Sequence, residues 1–316
     1  MNSCEQKQSY GSGTVYLFNQ EGCVMASGEM SEGGKKKSSG IGGLLFYMVP
    51  VVAVAAMLIF GGLFLRDYME YKAAGDEYAD LAEDYIRGGD VDEPNAVAGN
   101  ADGAAGESVS AKSLPYPSLQ IDYDALLNTN ADFACVLYIP VLELRYPVVY
   151  SSDNVDYLHK TFEGKRNFAG TIFYDCLSPH DFRAKNTFFF GHNMKNGSMF
   201  GTLKKLEKEP GLCASNPYIY VYTKGYVRKY RIFSFYETTD GSATYDDFEG
   251  TDGYDQYVKR CLSKSTLAID EHTIDFAKRP ALLTLSTCIG RSGGNQRFVV
   301  HAALEGAYNI TGECRP

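Results

Sequence analysis

From Ile41 to Leu65 the chain reads IGGLLFYMVPVVAVAAMLIFGGLFL, without a single charged residue. As a helix this run reaches about 37 Å, enough to cross a hydrocarbon core of about 30 Å with some tilt. Everything else the chain folds into must then be arranged on the two sides of a membrane. The run is too long and too apolar for a buried core helix. It starts too far from Met1 for a cleaved leader, and no small-x-small cleavage pattern precedes a polar segment. A retained single-pass transmembrane helix over 41–65 is expected, with Pro50 tolerated inside it as membrane helices allow. Lys35, Lys36 and Lys37 precede the run, whereas the far side opens on Arg66-Asp67 and soon turns acidic. An excess of lysine and arginine marks the cytoplasmic side, which assigns residues 1–40 to a cytoplasmic tail and sends everything after Leu65 outside the cell membrane.

Residues 1–40 are rich in Gly, Ser and polar side chains and read as a largely disordered tail. Beyond the membrane, Tyr78, Leu81 and Tyr85 recur at helical spacing among acidic residues and suggest a helical stalk. The stretch GGDVDEPNAVAGNADGAAGESVS follows, small and acidic with no apolar period, and reads as a linker. The expected organisation is therefore tail 1–40, transmembrane helix 41–65, stalk and linker 66–112, and a working domain over 113–316. In that domain IDYDALLNTN reads as a short helix. Eight strand-like runs follow it: CVLYIP, YPVVY, GTIFYD, NTFFFGH, YIYVYT, GYVRKYRIFSFYET, ALLTLSTC and QRFVVHAAL. They are rich in Val, Ile, Tyr and Phe and bounded by turn residues, which points to a mostly β domain, a closed or nearly closed eight-stranded barrel. Thr223-Lys224-Gly225 reads as a hairpin turn. One helix is expected at GYDQYVKRCLSKS, between the sixth and seventh strands.

The net charge of −9 and the lack of a long basic patch interleaved with aromatics exclude nucleic acid as the obvious partner. The exterior domain holds Cys135, Cys176, Cys213, Cys261, Cys288 and Cys314, with no compact disulfide framework in their spacing. No CxxC or HxxxH occurs, so no metal site is expected. A cysteine taken at random is most often a small buried hydrophobe. Cys288 differs because it ends the apolar run ALLTLSTC immediately before the polar loop IGRSGGNQ, where a side chain is both rigidly held and open to a substrate. A thiol there needs a neighbouring cation or histidine to react as thiolate. Arg297 opens the next run and can lie beside Cys288 across a hairpin, and Arg291 in the loop competes for the same role. Among the histidines, His301 sits in mid-strand, and His159, His180 and His272 sit in polar stretches. His192 alone comes straight off an apolar run, with Gly191 giving backbone freedom and Asn193 able to orient the ring.

These motifs have a family likeness. TLSTC followed by RFVV resembles the signature of sortases, membrane-anchored cysteine transpeptidases of Gram-positive envelopes. CVLYIPVLELRYPVVYSSDNVDYL and NTFFFGHNMKNGSMFGTLKKL resemble class B members in particular, and the likeness runs over about residues 117–304. It implies Cys288 as nucleophile, His192 as catalytic histidine and Arg297 as the arginine facing substrate. It also implies an eight-stranded barrel with a helix between strands six and seven. Asn154, Leu158 and Ser286 fall at positions resembling the class B peptide groove, as do Thr244 and Tyr245 more weakly. Ile289 departs from the polar residue frequent after the nucleophile, Val136 from a common tryptophan, and VLELRYP from the usual glycine turn.

The resemblance implies a reaction without a metal or organic cofactor. Cys288 would attack the carbonyl of a threonine in the C-terminal sorting motif of a surface protein, and an amine of a peptidoglycan precursor or a pilin would resolve the thioester. Two alternatives are a membrane-bound cysteine hydrolase using water alone and a sortase-like binding or scaffold module without turnover. No apolar tail follows in GAYNITGECRP, so the chain is expected to be the anchoring enzyme rather than an anchored protein.

Overall fold

The computed structural model describes residues 41–88, 114–209, 211–267, 273–289 and 294–310. The expected tail over 1–40, most of the expected linker, Arg291, His272 and Cys314 lie outside the described residues. The chain divides into two compact units, Met1–Asp67 and Tyr68–Pro316. Helix α1 (Ile41–Tyr85) contains the apolar run, with Pro50 inside it. Phe60, Phe64 and Met57 are each about 70% exposed, a lateral surface apolar enough for hydrocarbon. By length and composition α1 is a candidate membrane span.

The second unit opens with the last turns of α1. Strand β1 (Ile86–Gly88) follows and pairs antiparallel with β2 (Leu119–Ile121), ahead of α2 (Tyr123–Thr129). The Asp122 carboxylate accepts from the Ala125 N–H at 2.9 Å and so caps α2. Next come β3 (Phe133–Ile139), β4 (Leu144–Tyr150), β5 (Ile172–Tyr174) and β6 (Asn186–Phe190). Two single-turn helices, α3 (Lys205–Lys208) and α4 (Leu212–Ser215), lead to β7 (Tyr218–Thr223) and β8 (Tyr226–Thr239). Helix α5 (Gly250–Lys264) separates these from β9 (Leu282–Cys288) and β10 (Gln296–Asn309). Strands β3 to β10 close into a barrel in the order β10-β8-β7-β3-β4-β5-β6-β9. The eight expected runs are these eight strands, and α5 is the expected helix between the sixth and seventh of them. Gly225, at φ +90°, makes the β7–β8 turn.

Two features depart from the sequence reading. The β1–β2 pair was not anticipated, because three-residue strands are too short to show an alternation. The compact unit that holds the barrel also takes in residues ahead of 113. Ala74, Tyr78 and Leu81 of α1 are buried in the same hydrophobic core as β3, β4 and β6. The apolar spacing that suggested a helical stalk lies within α1 and forms a packing stripe, and the compact unit starts at Tyr68.

Two clusters make the core. Leu283 and Leu285 of β9 belong to the main cluster with Phe298 and Val300 of β10. The other covers Tyr254, Tyr257, Val258 and Cys261 of α5, an i, i+3, i+4, i+7 stripe laid on Phe233, Tyr236, Leu282 and Val299. His301 is fully buried beside this second layer. Its Nδ1 lies 2.9 Å from Thr284 Oγ1 and its Nε2 3.1 Å from Tyr236 Oη. Burial, aided by the positive charge of Lys264, holds its pKa down to about 3. The unfolded chain binds this proton near pH 6.5 and the folded chain does not, so the neutral imidazole's stability is present above pH 6.5 and lost as pH falls towards 3. Between pH 6.5 and 5 the wild-type chain should lose about 2 kcal/mol more than His301→Gln, read by chemical denaturation. Equal losses in the two proteins would contradict it.

Candidate functional site

Strand pairing assembles the site. Strands β9 and β10 are antiparallel neighbours, and Cys288 sits in register opposite Arg297. Strand β6 runs parallel to β9, with Phe190 opposite Ser286 and the Gly191 N–H donating to the Ser286 carbonyl at 3.3 Å. Parallel neighbours end on the same rim, so the residues leaving β6 emerge beside the end of β9. Gly191 and His192 therefore arrive next to Thr287 and Cys288. A Cβ at Gly191 would lie 2.8 Å from the Phe200 ring and 3.2 Å from Ile172 Cγ1, so the chain passes here only as glycine.

Cys288 is exposed. Three other thiols are buried: burial pushes Cys213 and Cys261 up to about 11, and Cys135 still further, while Cys176 is half-buried and lies outside the cleft lining. Those three are packing side chains, protonated at neutral pH. Arg297 is held by three hydrogen bonds, from Nη1 to the carbonyls of Gly294 (2.7 Å) and Gln296 (2.9 Å) and from Nη2 to Asp240 Oδ2 (3.0 Å). A guanidinium has five N–H donors, so a fixed cation remains with donors to spare for a guest.

His192 Nε2 lies 2.8 Å from the Leu158 carbonyl. A carbonyl only accepts, so Nε2 carries the proton and Nδ1 is the bare nitrogen of the neutral ring. The Leu158 carbonyl takes the orienting role foreseen for Asn193, whose backbone pairs with Met199 instead. Burial holds the His192 pKa below the ordinary histidine value, against the upward pull of the Leu158 hydrogen bond. His159, with its ring centre 6.1 Å away, adds a further push down.

A cleft of about 380 Å³ collects these groups, with Cys288, His192, Arg297, Asn154, Leu158, Ser286 and Tyr245 all in its lining. Asn154 sits at φ +56° and is tied at both ends of its amide, accepting from the Cys176 N–H and donating to Asp175. Ser286 Oγ and Tyr245 Oη are 2.7 Å apart. Thr244 does not reach the cleft. It is fully buried, its hydroxyl 3.0 Å from Tyr236 Oη and its carbonyl accepting from Tyr257 Oη at 2.9 Å, which fixes the loop ahead of α5. The sequence reading missed the aromatic wall of the cleft. Phe188 and Phe190 stack nearly parallel with centroids 6.3 Å apart, and Tyr245 packs against both. The alternation of NTFFF puts Phe188 and Phe190 on one face and could have revealed them. Asp240, which anchors Arg297, carried no signal in its own neighbourhood. Among the described residues, no group of three or more His, Cys, Asp or Glu could hold a metal ion.

A barrel that presents a thiol, an imidazole and a guanidinium on one rim has the architecture of cysteine-dependent acyl-transfer enzymes. The model of the sortase domain matches residues 137–305, more than half of the chain. The chain belongs to the sortase family, and the proteins it resembles place it in class B. Sortase B of Listeria monocytogenes is 33% identical over 166 residues, 52% of this chain, and the match takes in 65% of that relative's length. The X-ray structure of Clostridium perfringens sortase B is 31% identical and covers 57% of this chain and 98% of that one, with a TM-score of 0.52. A Staphylococcus aureus sortase B–substrate complex is 26% identical over 60% of this chain and 85% of that one, with a TM-score of 0.53.

Proposed function

We propose that the chain is a membrane-anchored cysteine transpeptidase that joins a surface protein to an amine of the cell envelope. The observation that carries this reading is the convergence of Cys288, His192 and Arg297 on one cleft rim. Cys288 donates its proton to the imidazole and attacks the threonine carbonyl of a sorting peptide as thiolate. Arg297 stabilises the oxyanion that forms, and a preorganised cation in a partly enclosed cleft favours that charge more than water does. His192 passes the proton to the departing amine as the peptide bond breaks, leaving a thioester on Cys288. A primary amine then attacks the thioester, His192 takes the proton it sheds, and the released thiolate recovers a proton from His192. Cleavage and ligation thus balance with no cofactor.

Asn154, Leu158, Ser286 and Tyr245 line the cleft beside the aromatic wall and suit a short extended peptide with an apolar residue ahead of its threonine. Peptides of the Asn-Pro-x-Thr-Asn or (Ser/Asn)-Pro-x-Thr-Gly type are the proposed donors. A peptidoglycan precursor or a pilin lysine is the proposed acceptor, in a Gram-positive envelope. The α1 span would hold the enzyme in the cell membrane, with residues 1–40 inside, as Lys35 to Lys37 suggest, and the barrel outside.

The test uses the full chain in detergent micelles with a panel of such peptides, with and without triglycine, followed by mass spectrometry. A ligated product that grows with the amine concentration is expected. Cleavage that always ends in water, whatever the amine, would replace this reading with a hydrolase.

A further inference from the structure

Tyr78, on α1 within the unit that begins at Tyr68, is buried at 6% exposure. Its hydroxyl donates to the Gly170 carbonyl at 2.7 Å, lies 3.1 Å from Thr171 Oγ1 and accepts from the Phe162 N–H at 3.3 Å. Neighbouring turns of the helix grip the same loop. Glu77 Oε1 accepts from the Glu163 N–H at 3.0 Å, and the Glu70 carbonyl accepts from Asn167 Nδ2 at 2.9 Å. One helical stretch thus closes on the chain between Asp156 and Thr171.

That loop carries the carbonyl that holds His192. Inside it the Thr171 N–H donates to the Tyr157 carbonyl at 2.9 Å, and the Asn167 N–H to the His159 carbonyl at 2.9 Å. Gly170, at φ +60°, is pressed so closely that a Cβ there would lie 2.5 Å from the Tyr157 oxygen and 2.7 Å from the Leu158 oxygen. The backbone that Tyr78 fixes is in contact with the oxygen that accepts from His192 Nε2. A second path starts from the same side chain. The Tyr78 ring meets Tyr146 edge-on at 5.3 Å, and Tyr146 Oη accepts from the Met199 N–H at 3.2 Å. Met199 bridges to Asn193, and the Phe200 N–H donates to the His192 carbonyl at 2.9 Å. One path ends on the imidazole and the other on the backbone that bears it.

We propose that Tyr78 is a positioning residue for His192, setting the imidazole's orientation through the Gly170–Leu158 loop and the Tyr146–Met199 contact. The proposal deepens the reading above and rests on the acid–base role given there to His192.

The test compares Tyr78→Phe and Tyr146→Phe with Val221→Ala. Val221 is fully buried on β7, which lies between β3 and β8, away from β6 and β9. Full-length protein with labelled histidine is studied by NMR in micelles, His192→Gln assigning the signal, and ligation kinetics are run in parallel. In Tyr78→Phe the His192 Nε2–H should exchange quickly where the wild-type signal is protected. Its titration midpoint should move up towards the ordinary histidine value as water reaches the ring. The kcat should fall about tenfold with KM changed less than about threefold, the pattern of a displaced reacting group. Tyr146→Phe should show the same changes in smaller measure. Val221→Ala should lower the melting temperature while leaving the His192 signal and kcat as in wild type. If Tyr78→Phe is destabilised like Val221→Ala with His192 and kcat unmoved, the tyrosine is a packing residue and the proposal fails. If the wild-type chain ligates no peptide, the failure is that of the proposed activity, and the His192 signal alone decides the role of Tyr78.

Discussion

Cys288→Ala should eliminate peptide cleavage and ligation together, lowering turnover by about 10⁴-fold or more, while the melting temperature stays close to wild type. Both halves of the expectation follow from position. The side chain ends β9 on an open rim and supports no core contact, so its loss leaves the barrel's packing intact. Among the described residues no second thiol lines the cleft, and Cys135, Cys213 and Cys261 are buried thiols held protonated. His192→Ala should fall nearly as far. A Cys288/His192 double variant should be scarcely worse than either single one, since the two act on one proton. Initial rates of peptide cleavage by liquid chromatography, with circular dichroism melts of each variant, check this. Residual turnover within tenfold of wild type in Cys288→Ala would remove the thiol from the mechanism.

Arg297 is the second strong expectation, and it distinguishes charge from shape. Arg297→Ala should lower kcat/KM by about 10² to 10³-fold, the usual loss for a donor aimed at a developing oxyanion. Arg297→Lys should recover only a small part of this. A lysine retains the charge, but it has a single flexible ammonium where the guanidinium spans Asp240 and the carbonyls of Gly294 and Gln296 at once. Steady-state kinetics on a single sorting peptide would check this. A lysine variant as active as wild type would show that charge alone suffices and that the fork has no part in the reaction.

The fold was largely legible because the barrel strands keep their apolar and aromatic character over runs bounded by turn residues. GYVRKYRIFSFYET and QRFVVHAAL mark β8 and β10, and the stripe at Tyr254, Tyr257, Val258 and Cys261 marks α5. The placement of Cys288 and Arg297 across a hairpin was also readable, because two adjacent runs joined by a glycine-rich loop have one simple way to pair. What brings His192 to them was not readable. The parallel pairing of β6 with β9 joins residues almost 100 positions apart, and nothing local in NTFFFGH records that neighbour. The same limit hid Asp240, whose value lies wholly in its bond to Arg297, and the Leu158 carbonyl, because backbone groups leave no trace in residue identity. Thr244 was misplaced for a related reason. It adjoins a cleft residue in sequence, but successive side chains of the loop point different ways and its hydroxyl turns inward to Tyr236. Tyr78 and Leu81 were seen as periodic, yet periodicity tells of a covered face and not of what covers it.

The most direct test of the account is the mass of the full chain after brief incubation with a sorting peptide in the absence of added amine. The account predicts a thioester-linked adduct equal to the peptide's portion up to and including threonine, mapped to Cys288 after proteolysis and discharged by triglycine as ligated product. An adduct on any other residue, or peptide cleavage with none on Cys288 at any time point, would contradict it.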